Sequence, residues 1–548
     1  MTLVWFLLWV VGDNDPWIES ANHVGLKFVH QNGMTGQFYI LEEMGPGCAL
    51  IDIDNDGDLD VYFVQGHRLP GNLTHPSSET HQGDQLYKNL LVETGQLQFT
   101  NITDASGIKA FGYGIGVAQA DVDRDGWTDI YTINYGPNQL WRNKGNGQFE
   151  DITALSQTGD PGFGVSASFF DADGDGFLDL YVANYVQFTF ENHKICLSPF
   201  GVQDYCGPNS YEDAPDVFFL NKGQGKFDNA TKTWKLDGQR GSGLGVIAAD
   251  FNDDHKTDIY VANDADPNFL WINRGDRFEE DGIMAGCALN INGATEASMG
   301  VQAADIDGDG DQDIFMTHLN GETNTLYRND GNGLFSDVTL AAALGASSLD
   351  KTGFGTGWLD YDNDGLLDLF VANGAVHILE HLKHEPFPLH QTNQLYRAIT
   401  PWRFEEVTAS AGAAFKQSEV SRGAAFGDID NDGDTDILLV NNNGPARLLI
   451  NRVGHNANWL GIQLKAGPSH CEGALITVSQ KDSTMKRRRS STDGSFASSN
   501  DARILVGLGQ NHAPCQVEVK WPNGEVDTWS NLVTGTYHTL VFGKGKRP

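Results

Sequence analysis

Seven stretches of this chain share one spacing of oxygen-bearing side chains, Asp-x-[Asp/Asn]-x-Asp-x-x-x-Asp, and that spacing wraps a hard cation. Side-chain ligands fall at positions 1, 3, 5 and 9, position 6 makes the sharp turn, and position 7 adds a backbone carbonyl. The residues are Asp52, Asp54, Asp56 and Asp60; Asp121, Asp123, Asp125 and Asp129; Asp171, Asp173, Asp175 and Asp179; Asp250, Asn252, Asp254 and Asp258; Asp305, Asp307, Asp309 and Asp313; Asp360, Asp362, Asp364 and Asp368; and Asp428, Asp430, Asp432 and Asp436. An all-oxygen set suits Ca²⁺, because Mg²⁺ prefers a tighter octahedron and softer metals select His or Cys. Up to seven structural Ca²⁺ ions are expected. An EF-hand is excluded, since position 12, which would need a bidentate Glu, holds Phe63, Thr132, Val182, Val261, Met316, Val371 or Leu439. The fourth copy carries Asn252 for Asp and His255 for Gly, so it should be the weakest site.

Repeating loops need repeating elements to hold them. Each nonapeptide is followed by an apolar β-forming run such as Ile130-Tyr-Thr-Ile or Leu369-Phe-Val-Ala, and preceded by a Gly-rich approach such as Gly114-Ile-Gly-Val-Ala. A third strand follows, as in Asn138-Gln-Leu-Trp-Arg-Asn, and a Gly-Asn-Gly turn leads to a fourth at Phe149-Glu-Asp. Four strands at a shortest spacing of about 50 residues make a propeller blade. The expected fold is therefore all-β: a seven-bladed β-propeller over residues 23–455, then a small β-sandwich-like domain over 456–548. The seventh blade lacks its own fourth strand, and a segment near 25–31, Gly25-Leu-Lys-Phe-Val-His, is expected to close the ring.

Of the 548 residues, 64 are Gly, and the net charge is -37, concentrated before Asn456; after it, basic residues outnumber acidic ones. Such a field repels nucleic acid and anionic lipid, and Lys486-Arg-Arg-Arg489 reads as a solvated charge run. Residues 1–22 read as a leader, with a short apolar run at 3–11 and no segment of transmembrane length, which points to a secreted, periplasmic or cell-surface protein. Among six cysteines without CxxC spacing, Cys196 and Cys206 are expected to close a loop, and Cys471 and Cys515 are a further candidate pair.

The calcium loops join strands one and two, so connections between strands two and three emerge on the opposite face. Three are expanded: Gly66–Asp84, Tyr185–Pro215 and Ala375–Thr392. Many histidines fall in these connections: His67, His75, His81, His193, His318, His377, His381, His384 and His390. If 374–386 forms a helix, His377, His381 and His384 would share one side of it and could grip a transition metal; the plainer reading of the segment is a solvated polar loop. Glu191, Glu212, Asp213, Glu380 and Glu385 are candidate acids, with no spacing that singles out a pair.

The nonapeptides with their Gly-rich approaches resemble FG-GAP/VCBS repeats across residues 23–452. Asn458-Trp-Leu-Gly-Ile-Gln-Leu, Gly494-Ser-Phe-Ala-Ser-Ser-Asn, Val506-Gly-Leu-Gly and Val517-Glu-Val-Lys-Trp-Pro-Asn-Gly resemble the ASPIC/UnbV domain of the cartilage acidic protein family. The chain lacks that family's vertebrate epidermal-growth-factor-like module and so looks like a bacterial-type member; Cys471 departs from the pattern. The resemblance implies calcium binding, an extracellular or periplasmic setting and, as in integrin-like propellers, ligand binding on the face opposite the calcium loops. The reading is a binding or adhesion module for a protein or glycan, with catalytic residues unassigned and oligomeric state open. A polysaccharide lyase or hydrolase on the same face is the alternative.

Overall fold

The computed structural model describes residues 15–70, 83–466, 471–481 and 485–547. Seven four-stranded antiparallel sheets form the propeller, and blade two shows the plan. Tyr113–Ala120, Asp129–Tyr135, Gln139–Asn143 and Phe149–Asp151 lie side by side in chain order. Their pairing runs through Ala120↔Asp129, Ile130↔Trp141 and Asn143↔Phe149. The inner strand is buried along its whole length, as the Gly- and Ala-rich approach requires where blades converge.

Two residues of each repeat explain why blades stay in register. The Asp at position 9 accepts two backbone N–H groups: Asp129 Oδ2 takes Val122 N at 3.0 Å and Oδ1 takes Asn143 N at 2.7 Å. The Asn ending the third strand then reaches back, with Asn143 Nδ2 donating to Ile53 O of the preceding loop at 2.8 Å. The same link runs from Asn221 to Val122, Asn273 to Ala172, Asn329 to Phe251, and across the closure from Asn89 to Ile429. Blade six has Ala398 at this place.

The ring closes differently from the expectation. The fourth strand of blade seven is Trp17–Glu19, paired as Trp17↔Asn451 and Glu19↔Leu449, and not the segment near 25–31. Trp17-Ile-Glu-Ser followed by a short helix, Ala21–Val24, and Gly25-Leu26 reproduces Phe99-Thr-Asn-Ile, Thr103–Ser106 and Gly107-Ile108 of blade one. Phe28 instead enters the core, stacked on Phe63 at 4.6 Å. The 1–22 leader segment therefore contributes a structural strand; its apolar run lies outside the described residues.

The C-terminal domain is two facing sheets. Ile504–Gly509, Asn458–Lys465 and Tyr537–Val541 make one, and Lys486–Arg489, Leu475–Ser479, Cys515–Lys520 and Val526–Leu532 the other. Leu460, Ile476, Val506, Val517 and Trp521 fill the space between them. Cys196 and Cys206 form a disulfide with Cα atoms 5.3 Å apart, but Cys471 and Cys515 are free thiols packed into this apolar core.

The segment between these sheets enters the propeller axis. Phe496 is fully buried in a cluster with Ile115, Val165, Leu244, Met299 and Phe354 from five blades. Ser495 exchanges backbone hydrogen bonds with Val301, Val117 N donates to Ala497 O, and Ser499 bonds Cys48 and Leu50. Asp493 Oδ2 takes Ser168 Oγ and Ala248 N, and Asp501 N donates to Phe426 O. The plug thus pairs polar groups on the inner edges of the blades. Side chains at Gly47 or Gly423 would collide with Ala497 O or Ser498 Oγ, so these inner-strand glycines make room for it.

Candidate functional site

All seven nonapeptides form the predicted loops between strands one and two. Position 4 is left-handed in each, favouring Gly or Asn as in Asn55, Gly174, Asn363 and Asn431. Position 6 is left-handed too, and His255 occupies it at φ 66°, the conformation Gly adopts most readily. Position 1 closes the turn: Asp52 accepts from Asp56 N at 3.2 Å and Gly57 N at 3.1 Å. Asp52, Asp54 and Asp60 place oxygens within 4.8 Å of one another, as do Asp121, Asp123 and Asp129.

The donor set fits a hard cation on a specific observation. Asp54 Oδ1, Asp123 Oδ1, Asp360 Oδ1 and Asp430 Oδ1 are buried and accept no hydrogen bond. A buried acceptor without a donor costs free energy that a cation would recover. Burial, with neighbouring loop carboxylates adding to it, raises Asp52 and Asp121 to about 6 and Asp179, Asp258 and Asp313 to about 8.

The sign of the pH dependence follows. A carboxyl whose folded pKa exceeds its unfolded value contributes stability at low pH that is lost as pH rises through the folded value. In chelator the fold should therefore weaken as pH rises from about 4 toward 8, whereas bound cations favour the ionised form. If the loops take up Ca²⁺, the rise in melting temperature that it brings is expected to be larger at pH 8 than at pH 5.5; a larger rise at pH 5.5 would contradict these environments.

Sequence reasoning missed the cations around these loops. On third strands, Lys88 pairs with Asp54, Arg142 lies 3.7 Å from Asp123, and Arg397 lies 2.8 Å from Asp362, each bracing a position-3 carboxylate. Their signal was the basic residue before Asn in Leu-Trp-Arg-Asn. The Lys486–Arg489 run is not a solvated face: Lys486 Nζ donates to Gly365 O, Arg487 to Gly308 O and Arg489 to Ala248 O. Arg503 donates to Gly57 O, Asn431 Oδ1 and Asp428 O, and Tyr537 to Asp428 Oδ2. The basic C-terminal domain is docked on the acidic loop face, largely through loop carbonyls.

The opposite face gathers groups the sequence had scattered. A short helix, Leu41–Met44, lies in the axial cluster with Phe496, carrying Glu42 and Glu43. Tyr205 of the blade-three insertion donates to Glu42 at 3.2 Å, His377 of blade six lies 3.4 Å from Asp204, and Tyr185 donates to Asp264 at 2.6 Å. Arg422, 1% exposed, donates to Glu43 O, Gly374 O and Ser421 O and stacks over Phe354. Burial raises Glu43 well above the usual carboxylate range, reinforced by Asp204, Asp264 and Glu42 and opposed by Arg422. Glu42, Glu43, Asp204 and Tyr205 are all buried, so this convergence builds the fold over the axis.

The remaining candidates disperse. Residues 380–382 form a single 3-10 turn, so His377, His381 and His384 share no helix face, and the segment is a loop as the plainer reading had it. His318 is buried against Ser298 and lowered to about 3 by burial, a neutral core residue. His193 and His390 lie within hydrogen-bond reach of the backbone carbonyls of Gln37 and Ser418. His67 approaches Arg68 O, and His75 and His81 lie outside the described residues. Glu191, Glu212, Glu380 and Glu385 are exposed, while Asp213 approaches Ser242.

Residues 121–182, 250–316 and 305–371 match the FG-GAP-like repeat, and residues 466–547 match the domain described as ASPIC and UnbV. The chain is a β-propeller of FG-GAP-like repeats joined to an ASPIC and UnbV domain. Along nearly its whole length it is homologous to cartilage acidic protein 1: 24% identical to the human protein, covering 99% of this chain and 77% of the relative. The Xenopus tropicalis protein is 25% identical, over 89% and 72%. Among solved structures, an Agrocybe aegerita lectin recognising terminal N-acetylglucosamine aligns with TM-score 0.37 at 14% identity, over 73% of this chain and 87% of that one. A Bacillus licheniformis rhamnogalacturonan lyase aligns at 0.35 and 14%, over 74% and 71%. Such scores bear on no site of this chain. Among the described residues, no helix is long and apolar enough to cross a membrane.

Proposed function

We propose that the protein is an extracellular or periplasmic calcium-binding propeller that presents the face opposite its calcium loops to a protein or glycan. One observation carries the choice of face: the C-terminal domain docks on the loop face and fills the axis. The opposite face holds the expanded connections of blades three and six, and these are stiffened for recognition. The Cys196–Cys206 disulfide holds a hairpin, Cys196–Leu197 with Gln203–Asp204, that exposes Ile195, Leu197 and Val202, and Phe387 stands exposed on the blade-six connection. Exposed apolar side chains on a rigid loop suit a binding role. Calcium in the Asp loops would fix the strand connections beneath, with Asp52, Asp121 and their counterparts as ligands.

Glu42, Glu43 and Asp204, the carboxylates that converge on this face, are buried and out of reach of a polysaccharide as general acids. A glycan and protein array, probed with and without Ca²⁺, tests the reading by comparing wild type with a chain shortened between Ala375 and Thr392. Calcium-dependent binding that weakens on shortening is expected. Binding untouched by the deletion would remove blade six from the surface.

A further inference from the structure

We infer that Asp432, Asp434 and His455 form a second metal site, for a zinc-class transition-metal ion, on the outer side of the seventh loop at the junction between the two domains. His455 lies on the turn Gly454–Asn456 that leads from the propeller into the C-terminal domain. Its Nδ1 is 3.3 Å from Asp432 Oδ2 and 3.2 Å from Asp434 Oδ2, and the three residues place ligand atoms within 4.8 Å of one another. Asp434 is fully buried, and its Oδ1 meets no hydrogen-bond partner. Oδ2 of the same carboxylate meets His455 N and Nδ1, so the bare Oδ1 is the buried oxygen left without positive charge close at hand.

Two other loops have a Lys beside the equivalent cluster, and among the described residues the seventh has none. Loop one has a similar outer cluster, Asp56, Asp58 and Glu93, and there Lys88 reaches in, 3.6 Å from Asp56 and 2.7 Å from Glu93. In blade seven the residue at the place of Lys88, one before the terminal Asn of the third strand, is Ile450. The cluster Asp250, Asp253 and His255 of loop four is exposed, with Lys520 3.2 Å from the imidazole. Among the described residues, the ion pairs of Asp432 and Asp434 at the seventh loop both run to His455.

The chemistry differs from that of the loop interior. Asp432 divides its carboxylate: Oδ1 accepts Asp434 N inside the loop at 3.2 Å, while Oδ2 faces His455 outside. One imidazole and two carboxylates make a mixed nitrogen and oxygen set with room for water in the fourth position, which suits Zn²⁺ or Co²⁺ better than Ca²⁺. An ion there would tie the interdomain turn to the propeller, independently of which cation the loop interior holds.

Full-length protein in excess Ca²⁺, titrated with Co²⁺ and followed by visible absorption and calorimetry, tests this. Wild type should bind one Co²⁺ that Zn²⁺ displaces, and His455→Gln should bind it at least about tenfold more weakly. The imidazole is 39% exposed, so the variant should fold, and its calcium stoichiometry, measured in parallel, should equal that of wild type. Absence of Co²⁺ uptake by wild type, or equal uptake by His455→Gln, would overturn the site. Absence of calcium from both proteins would instead count against the loops alone.

Discussion

Phe496→Ala is expected to cost about 3–5 kcal/mol of stability, measured by urea denaturation of the full-length protein. The ring is fully buried on the propeller axis, 4.9 Å from Phe354, among side chains of five blades. Removing it opens a cavity whose walls are inner strands fixed by their own sheets, which limits collapse. The loss should appear in the propeller as well as in the C-terminal domain, since the two share this cluster. A loss under about 1 kcal/mol, or unfolding confined to the C-terminal domain, would show that the plug is an ornament on a self-sufficient ring.

Arg422→Leu should cost about as much, 3–5 kcal/mol on the order of a broken buried charge interaction. Its guanidinium donates to the backbone carbonyls of Glu43, Gly374 and Ser421 and opposes the charge of Glu43. Leucine leaves those carbonyls unpaired and the acidic group without its buried cation. Adding Glu43→Gln should restore part of the loss. A double variant no more stable than Arg422→Leu would assign the whole effect to the orphaned carbonyls.

The repeat was legible because each blade restates it locally: an Asp loop, an apolar run and, in every blade but the sixth, a strand ending in Asn sit within a few dozen residues. Closure was misplaced because Trp17 stands where other blades carry Phe, while Phe28 looked like the missing residue. The plug left no local signal. Gly114, Gly116 and Gly423 announced strands packed near an axis, but nothing near them in sequence indicated that Ala497 and Ser498 would fill the space. Lys486–Arg489 read as solvated because most of its partners are carbonyls on distant loops, which no charge pattern reveals. On the opposite face, Glu42 and Glu43 precede blade one and meet Asp204, Tyr205 and His377 only through the fold.

Calcium content and melting temperature, measured on the same full-length sample before and after exhaustive chelation, test the stapled propeller most directly. Several bound ions, up to seven, should be found, with a steep fall in melting temperature on chelation that Ca²⁺ reverses. A chain that carries no calcium, or melts at the same temperature in excess chelator, would contradict it.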